Sequence, residues 1–140
     1  IMTPNFLCQT HRQHYQQEPT EALMAWDNWM SAGHQSVLSQ DNERAFRYYG
    51  SSMEVAAILM QQSAQVAVTA ITPLERYQLA GQHLAELCHR NGHKDIANAI
   101  VQKLNNALAN QRHHSVTNAN RKASHEAYEQ PAHTVSTRVH

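Results

Sequence analysis

The longest uninterrupted apolar run in this chain is six residues, Val55 to Met60, where a membrane-spanning helix needs about twenty. Only four glycines and four prolines occur in 140 residues. So few turn formers argue against a sandwich or barrel of many short strands, and they leave little material for a phosphate-cradling loop. The two cysteines, Cys8 and Cys88, cannot make a disulfide framework, and reduced thiols are expected. Net charge is zero with histidines neutral, so the basic stripe of a dedicated nucleic-acid binder is missing. No G-x-S-x-G, H-E-x-x-H or dinucleotide fingerprint is present, and a non-enzymatic protein without a cofactor is expected. No charged stretch followed by an apolar one opens the chain. A secretory leader is therefore not expected, Met2 is the expected natural start, and the cytoplasm is the expected address.

What the chain does have is helix-forming sequence. Alanine and glutamine are abundant, and both favour helix over strand. Hydrophobic residues make up 41% of the chain and concentrate between Leu23 and Leu108. A chain of this length is the size of one domain and can bury about two-thirds of its unfolded surface. The expected fold is all-α, built of antiparallel helical hairpins, with a helical domain over residues 1–111 and its core in residues 19–111.

Start and stop signals divide that region. Thr3-Pro4 can open a short first helix, with Phe6, Leu7 and Tyr15 as docking surface. Pro19-Thr20-Glu21 opens the next, in which Leu23, Trp26, Met30, Gly33 and Val37 recur at helical spacing. Asp41 is a plausible N-cap after a short polar break. Ala45, Tyr49, Met53, Ala56, Met60, Ala64, Ala67 and Ile71 then form a long stripe. Phe46, Ile58 and Leu59 add a second row, as for a helix with neighbours on more than one side. Gly50 or the Gln61-Gln62-Ser63 stretch could interrupt it. Thr72-Pro73-Leu74-Glu75 has the form of a capping box with proline at the first helical position. Leu74, Tyr77, Ala80, Gly81, Leu84, Leu87 and Cys88 follow as a buried stripe, and Asn91-Gly92 ends the helix. The last strong stripe is Ile96, Ala97, Ile100, Val101, Leu104, Ala107 and Leu108.

Residues 112–140 differ in character. They hold no Leu, Ile, Phe or Trp, and Tyr128 is their one large apolar side chain. Residues 1–110 carry seven Lys/Arg against nine Asp/Glu, whereas residues 111–140 carry four against two, with five of the eleven histidines. Such a mildly basic, polar segment cannot offset its ordering entropy unaided. A docked or exposed helix over residues 118–129 is the structure it could form.

The first strong hairpin resembles a tetratricopeptide repeat. Trp29-x2-Ala32-Gly33 and then Ala45-x3-Tyr49 fall on the W-x2-L-G and A-x3-F positions of that family. Ala32 replaces the usual Leu, and Ser36 stands where the family prefers Tyr. Small residues at Gly33 and Ala45 would let two helices approach, with aromatics filling the space beside them. A second copy is carried by Gly81, Leu84-Ala85, Ala97 and Val101, with the same sixteen-residue spacing from Gly81 to Ala97 as from Trp29 to Ala45. The copies are displaced by 52 residues, against a family repeat of about 34. A plain four- or five-helix bundle is the alternative architecture.

The resemblance implies a binding module in which the first helix of each hairpin lines a groove for a partner. It places Asp27, Met30, His34 and Val37 on one groove-lining helix and Gln82, Glu86 and His89 on the other. The expected partner is another protein or a second copy of the chain, giving a homo-oligomer; membrane, nucleic acid and small-molecule substrates are not expected. The alternative function is metal binding or sensing through Cys8, His11 and His14, whose three-residue spacing puts neighbours on one helix face. Cys88, His89 and His93 are the other Cys/His grouping. A third reading is a nucleic-acid-associated regulator using the turn at Asn91-Gly92, with Lys94, Asn98 and Lys103 on the following helix. Glu54 and Glu86 read as exposed or ion-paired carboxylates, not as a catalytic pair.

Overall fold

Local capping chemistry and a few close approaches between helices set the architecture. The computed structural model describes residues 5–62 and 70–129, with residues 113–129 described by their backbone alone. Among the described residues there are five helices and no strand: α1 Gln9–Gln17, α2 Pro19–Leu38, α3 Asn42–Gln61, α4 Pro73–Arg90 and α5 Lys94–Glu129. The all-α class expected from the sequence is thus found. The chain divides into two compact units, residues 1–105 and 106–140. None of the described helices is long and apolar enough to cross a membrane.

The starts of α2, α3 and α4 each have a visible chemical cause. Pro19 takes the first turn of α2, where its missing N–H is not needed. Asp41 caps α3 by accepting a hydrogen bond from the Arg44 N–H at 3.1 Å. Thr72 Oγ1 accepts from the Glu75 N–H at 3.1 Å, and Pro73 follows it, as the capping-box pattern requires. At the other end of α4, Asn91 Nδ2 donates to the Leu87 carbonyl at 2.8 Å. Gly92 then reverses the chain at φ +83°, a left-handed conformation that costs glycine little.

Helix α3 sits in the middle, packed against α2, α4 and α1. Its residues Ala45, Tyr49, Met53, Val55, Ala56, Ile58 and Leu59 are all buried, so both of its expected apolar rows find neighbours. It ends at Gln61; Ala64 and Ala67, expected to continue the stripe, lie outside the described residues. The hairpin of α2 and α3 closes tightly because Gly33 has no side chain. A Cβ there would stand 2.7 Å from the Tyr49 ring, and Ala45 across the interface is fully buried. Leu104 of α5 lies over Gly81 of α4, and its carbonyl accepts from Gln78 Nε2 at 3.0 Å.

One expectation needs correction. The expected Thr3-Pro4 opening lies outside the described residues, and α1 begins at Gln9, with residues 5–8 outside any helix. The cause is Glu54, whose carboxylate takes the Phe6 N–H at 2.6 Å and the Leu7 N–H at 3.0 Å and holds them in a non-helical segment that bends at Leu7. The last strong stripe lies on α5, which runs from Lys94 to Glu129 and takes in the residues 118–129 expected to form a docked or exposed helix; residues 94–105 belong to the first unit, which closes its core at Leu104, and Ala107 and Leu108 fall in the second.

Gly33→Val should lower stability by about 1–3 kcal/mol, the usual cost of overpacking a close helix contact. Thermal unfolding followed by circular dichroism measures this, and an unchanged midpoint would show that the Tyr49 ring moves aside freely.

Candidate interaction surface

Helices α2 and α4 meet each other along one side of α3, joined by side chains. Trp26 Nε1 donates to the Arg76 carbonyl at 3.2 Å. The Arg76 guanidinium lies 4.6 Å from the centre of the Trp26 ring and bonds Asp27 at 3.0 Å. Arg76 is buried while its partner carboxylate is largely exposed. Burying a cation is costly unless it is paired, and here the pairing comes from one carboxylate and one aromatic face. The pair therefore fixes α4 against α2 at this end.

Two turns further along, a second set of side chains bridges the same helices. His34 of α2 and the Tyr49 hydroxyl of α3 share a hydrogen bond of 2.7 Å, donated by Tyr49 when His34 Nδ1 is unprotonated. The His34 ring stands edge-on to His83 of α4, with centroids 4.8 Å apart. His83 in turn stacks on Tyr49 at 5.3 Å and an interplanar angle of 19°. Burial and the nearby His34 hold the His83 imidazolium below its ordinary pKa of 6.5, against a smaller pull upward from Glu86. Burial also raises the Tyr49 phenol, with Arg90 and Glu86 acting on it in opposite senses. Three helices thus contribute to one half-open aromatic and polar patch.

The sequence-derived groove residues fare unequally. Asp27 and His34 do face α4, through Arg76 and His83. Met30 does not line a surface: it is only 6% exposed and belongs to the core, because its strip of α2 turns toward α3. Val37 is half-buried against the same core. Gln82, Glu86 and His89 are exposed on α4, but His83, one residue from Gln82, is the side chain that reaches α2. In the second copy of the repeat pattern, Leu84, Ala85 and Ala97 are buried, whereas Val101, at the place of Tyr49, is 43% exposed.

The three metal-ligand candidates do not assemble into one set. Cys8 Sγ approaches His11 Nδ1 to 3.1 Å, but His14 is turned toward Glu21 of α2. Cys88 is buried, and that burial raises its thiol pKa. Among the described residues no group of three His, Cys, Asp or Glu side chains is placed to hold a metal ion. Asn91 of the expected nucleic-acid turn bonds Asn42 Nδ2 at 3.2 Å. Glu54, expected to be ion-paired or exposed, pairs with Arg12 at 2.8 Å, and Glu86 is exposed.

The His83 environment has a consequence for pH. Its folded-state pKa is depressed, so the native protein binds fewer protons than the unfolded chain as the pH falls through 6.5. The stability associated with neutral His83 is complete above that pH and is lost progressively below it. His83→Gln should flatten this part of the profile between about pH 7 and 5, read from urea midpoints across the range. An identical slope in the variant would assign the pH dependence to other groups.

Compared with known proteins, the chain matches no family model, and no curated protein or solved structure is significantly similar to it.

Proposed function

We propose that this chain is a non-enzymatic protein-interaction module, tetratricopeptide-like in its α2–α3 hairpin. It binds another protein or a second copy of itself through the face shared by α2 and α4, in the cytoplasm and without a cofactor. The observation that carries this reading is the His34–Tyr49–His83 patch, at which the two helices expected to line a groove meet. On the same face, exposed Gln82, Glu86 and His89 of α4 and, two turns from the patch, Asp27 of α2 supply polar groups, the arrangement of a small protein-binding surface with an aromatic centre. The close packing of Gly33 on Tyr49 also agrees with the small-residue and aromatic positions of the repeat.

The chemistry of the patch favours recognition over catalysis. Its rings are engaged with one another, and the one cysteine near the end of α4, Cys88, is buried. A partner segment would stack on the imidazoles and bond the exposed carboxylates and amides along α4.

His34→Ala combined with Glu86→Arg should weaken partner capture or self-association by about tenfold, a change of about 1.4 kcal/mol, with the helical circular-dichroism signal retained. Quantitative crosslinking of wild-type and variant chains, followed by light scattering, reads both forms of association. Binding that is undiminished in the folded variant would reject this face as the interaction surface.

A further inference from the structure

The α1 side of the first unit carries a second recognition arrangement, separate from the α2–α4 face. Two consecutive main-chain N–H groups, those of Phe6 and Leu7, point at the two oxygens of one carboxylate, Glu54, at 2.6 and 3.0 Å. Arg12 completes the cluster by bonding the same carboxylate at 2.8 Å. One turn away on α3, Gly50 leaves its backbone bare, and the Phe6 ring occupies that space; any Cβ at Gly50 would overlap it. The Phe46 ring flanks Phe6 at 5.1 Å, and Leu7 is buried beside it. A cavity of about 190 Å³, lined by Phe46, Met53, Leu84 and Ile100, continues inward from the Phe6 ring.

This is the chemistry of a peptide-reading site. A carboxylate that accepts two consecutive N–H groups recognises a bent main chain, here the bend at Leu7, because the N–H groups of an extended strand alternate in direction; a glycine notch with an aromatic wall selects an aromatic side chain. The segment that occupies it is joined to the rest of the chain by little. Helix α1 has no buried residue of its own, and a single residue, Glu18, separates it from α2. Pro19 prevents α1 and α2 from fusing into one straight helix, because it lacks an N–H and its ring would clash with the preceding turn. The joint therefore remains a joint. Beyond it, residues 9–17 span about 14 Å as helix and residues 5–8 about 13 Å when extended, enough to reach a neighbouring molecule.

We propose that the Gly50–Glu54 groove of α3 is a self-recognition site that takes the Phe6–Leu7 segment of a second copy as it takes its own, so that two copies exchange N-terminal arms. The occupant is a second copy because the groove is fitted to this chain's own segment, which every copy carries. The other ties of the arm are transferable with it: Arg12 to Glu54, His14 to Glu21, Tyr15 edge-on to Trp29 at 5.7 Å, and the Gln16 carbonyl to Gln62. The exchange does not depend on the α2–α4 face proposed above and uses a different surface. The intramolecular arm competes with the exchanged one through its high effective concentration, so the balance between closed monomer and exchanged dimer follows protein concentration.

Two full-length variants remove that competition. Phe6→Ala with Leu7→Ala has an intact groove and no arm to fill it. Gly50→Ala has an intact arm and a filled notch, and its alanine favours the helix. Circular dichroism first establishes that both are folded. Native mass spectrometry should then show each variant alone as a monomer and their equimolar mixture as a heterodimer. Adding Glu54→Ala to the armless chain should weaken that heterodimer by about tenfold, or about 1.4 kcal/mol. A mixture that stays as two folded monomers overturns the exchange. A dimer that persists in each variant alone also overturns it, while leaving self-association through another surface standing. Failure of the α2–α4 reading would show instead as indifference to His34→Ala with Glu86→Arg.

Discussion

Helices α2 and α4 are not consecutive, and α3 lies between them in the chain. What ties them directly is the buried guanidinium of Arg76, stacked on Trp26 and paired with Asp27, together with the indole hydrogen bond back to the Arg76 carbonyl. A buried cation held in this way has few alternatives: moving α4 along α2 would separate it from both the ring and the carboxylate, leaving an uncompensated charge. The relative placement of the two helices is therefore over-determined at this end. The His34–Tyr49–His83 patch further along is positioned as a result.

The opposite side of α3 works differently. There the tie is Glu54, a carboxylate on the central helix that reaches out to main-chain N–H groups of a non-helical segment and to Arg12. Charge-assisted hydrogen bonds of this kind are stronger than neutral ones, and they act together with the packing of Phe6 and Leu7 to hold the segment. Helix α3 thus carries two unlike attachments. One side is packed by small residues and aromatic rings, and the other holds the N-terminal segment by a carboxylate and a bare glycine.

Much of the fold was legible. Proline and capping residues at Pro19, Asp41 and Thr72-Pro73 announced helix starts through chemistry confined to a few neighbours, and the structure places the caps there. Apolar periodicity likewise located the buried faces of α2, α3 and α4. The first helix was misplaced because its true limit depends on Glu54, 47 residues from Leu7, which no local rule can anticipate. Arg76 and His83 were missed for a related reason. A charged residue in an apolar stripe reads as solvent-facing unless its ring and carboxylate partners are known, and those lie about fifty residues away. The repeat frame names Gln82, whereas His83, one position on and about 100° around the helix, is the neighbour that contacts His34. Met30 was assigned to a surface because a resemblance supplies a face, whereas the local packing of α2 turns that residue into the core.

The same separation in sequence bears on how the molecule assembles. The α2–α3 hairpin closes across a break of three residues, 39–41, so its loop-closure entropy is small. The ties made by Trp26 and Glu54 join residues 50 and 47–48 positions apart, and each long closure costs more before it is rewarded. The hairpin is accordingly the natural nucleus, and the N-terminal segment, with no buried residue on α1, is the last element to be secured. In the folded molecule α1, with no buried residue of its own, has less packing to lose on local opening than α2, α3 or α4.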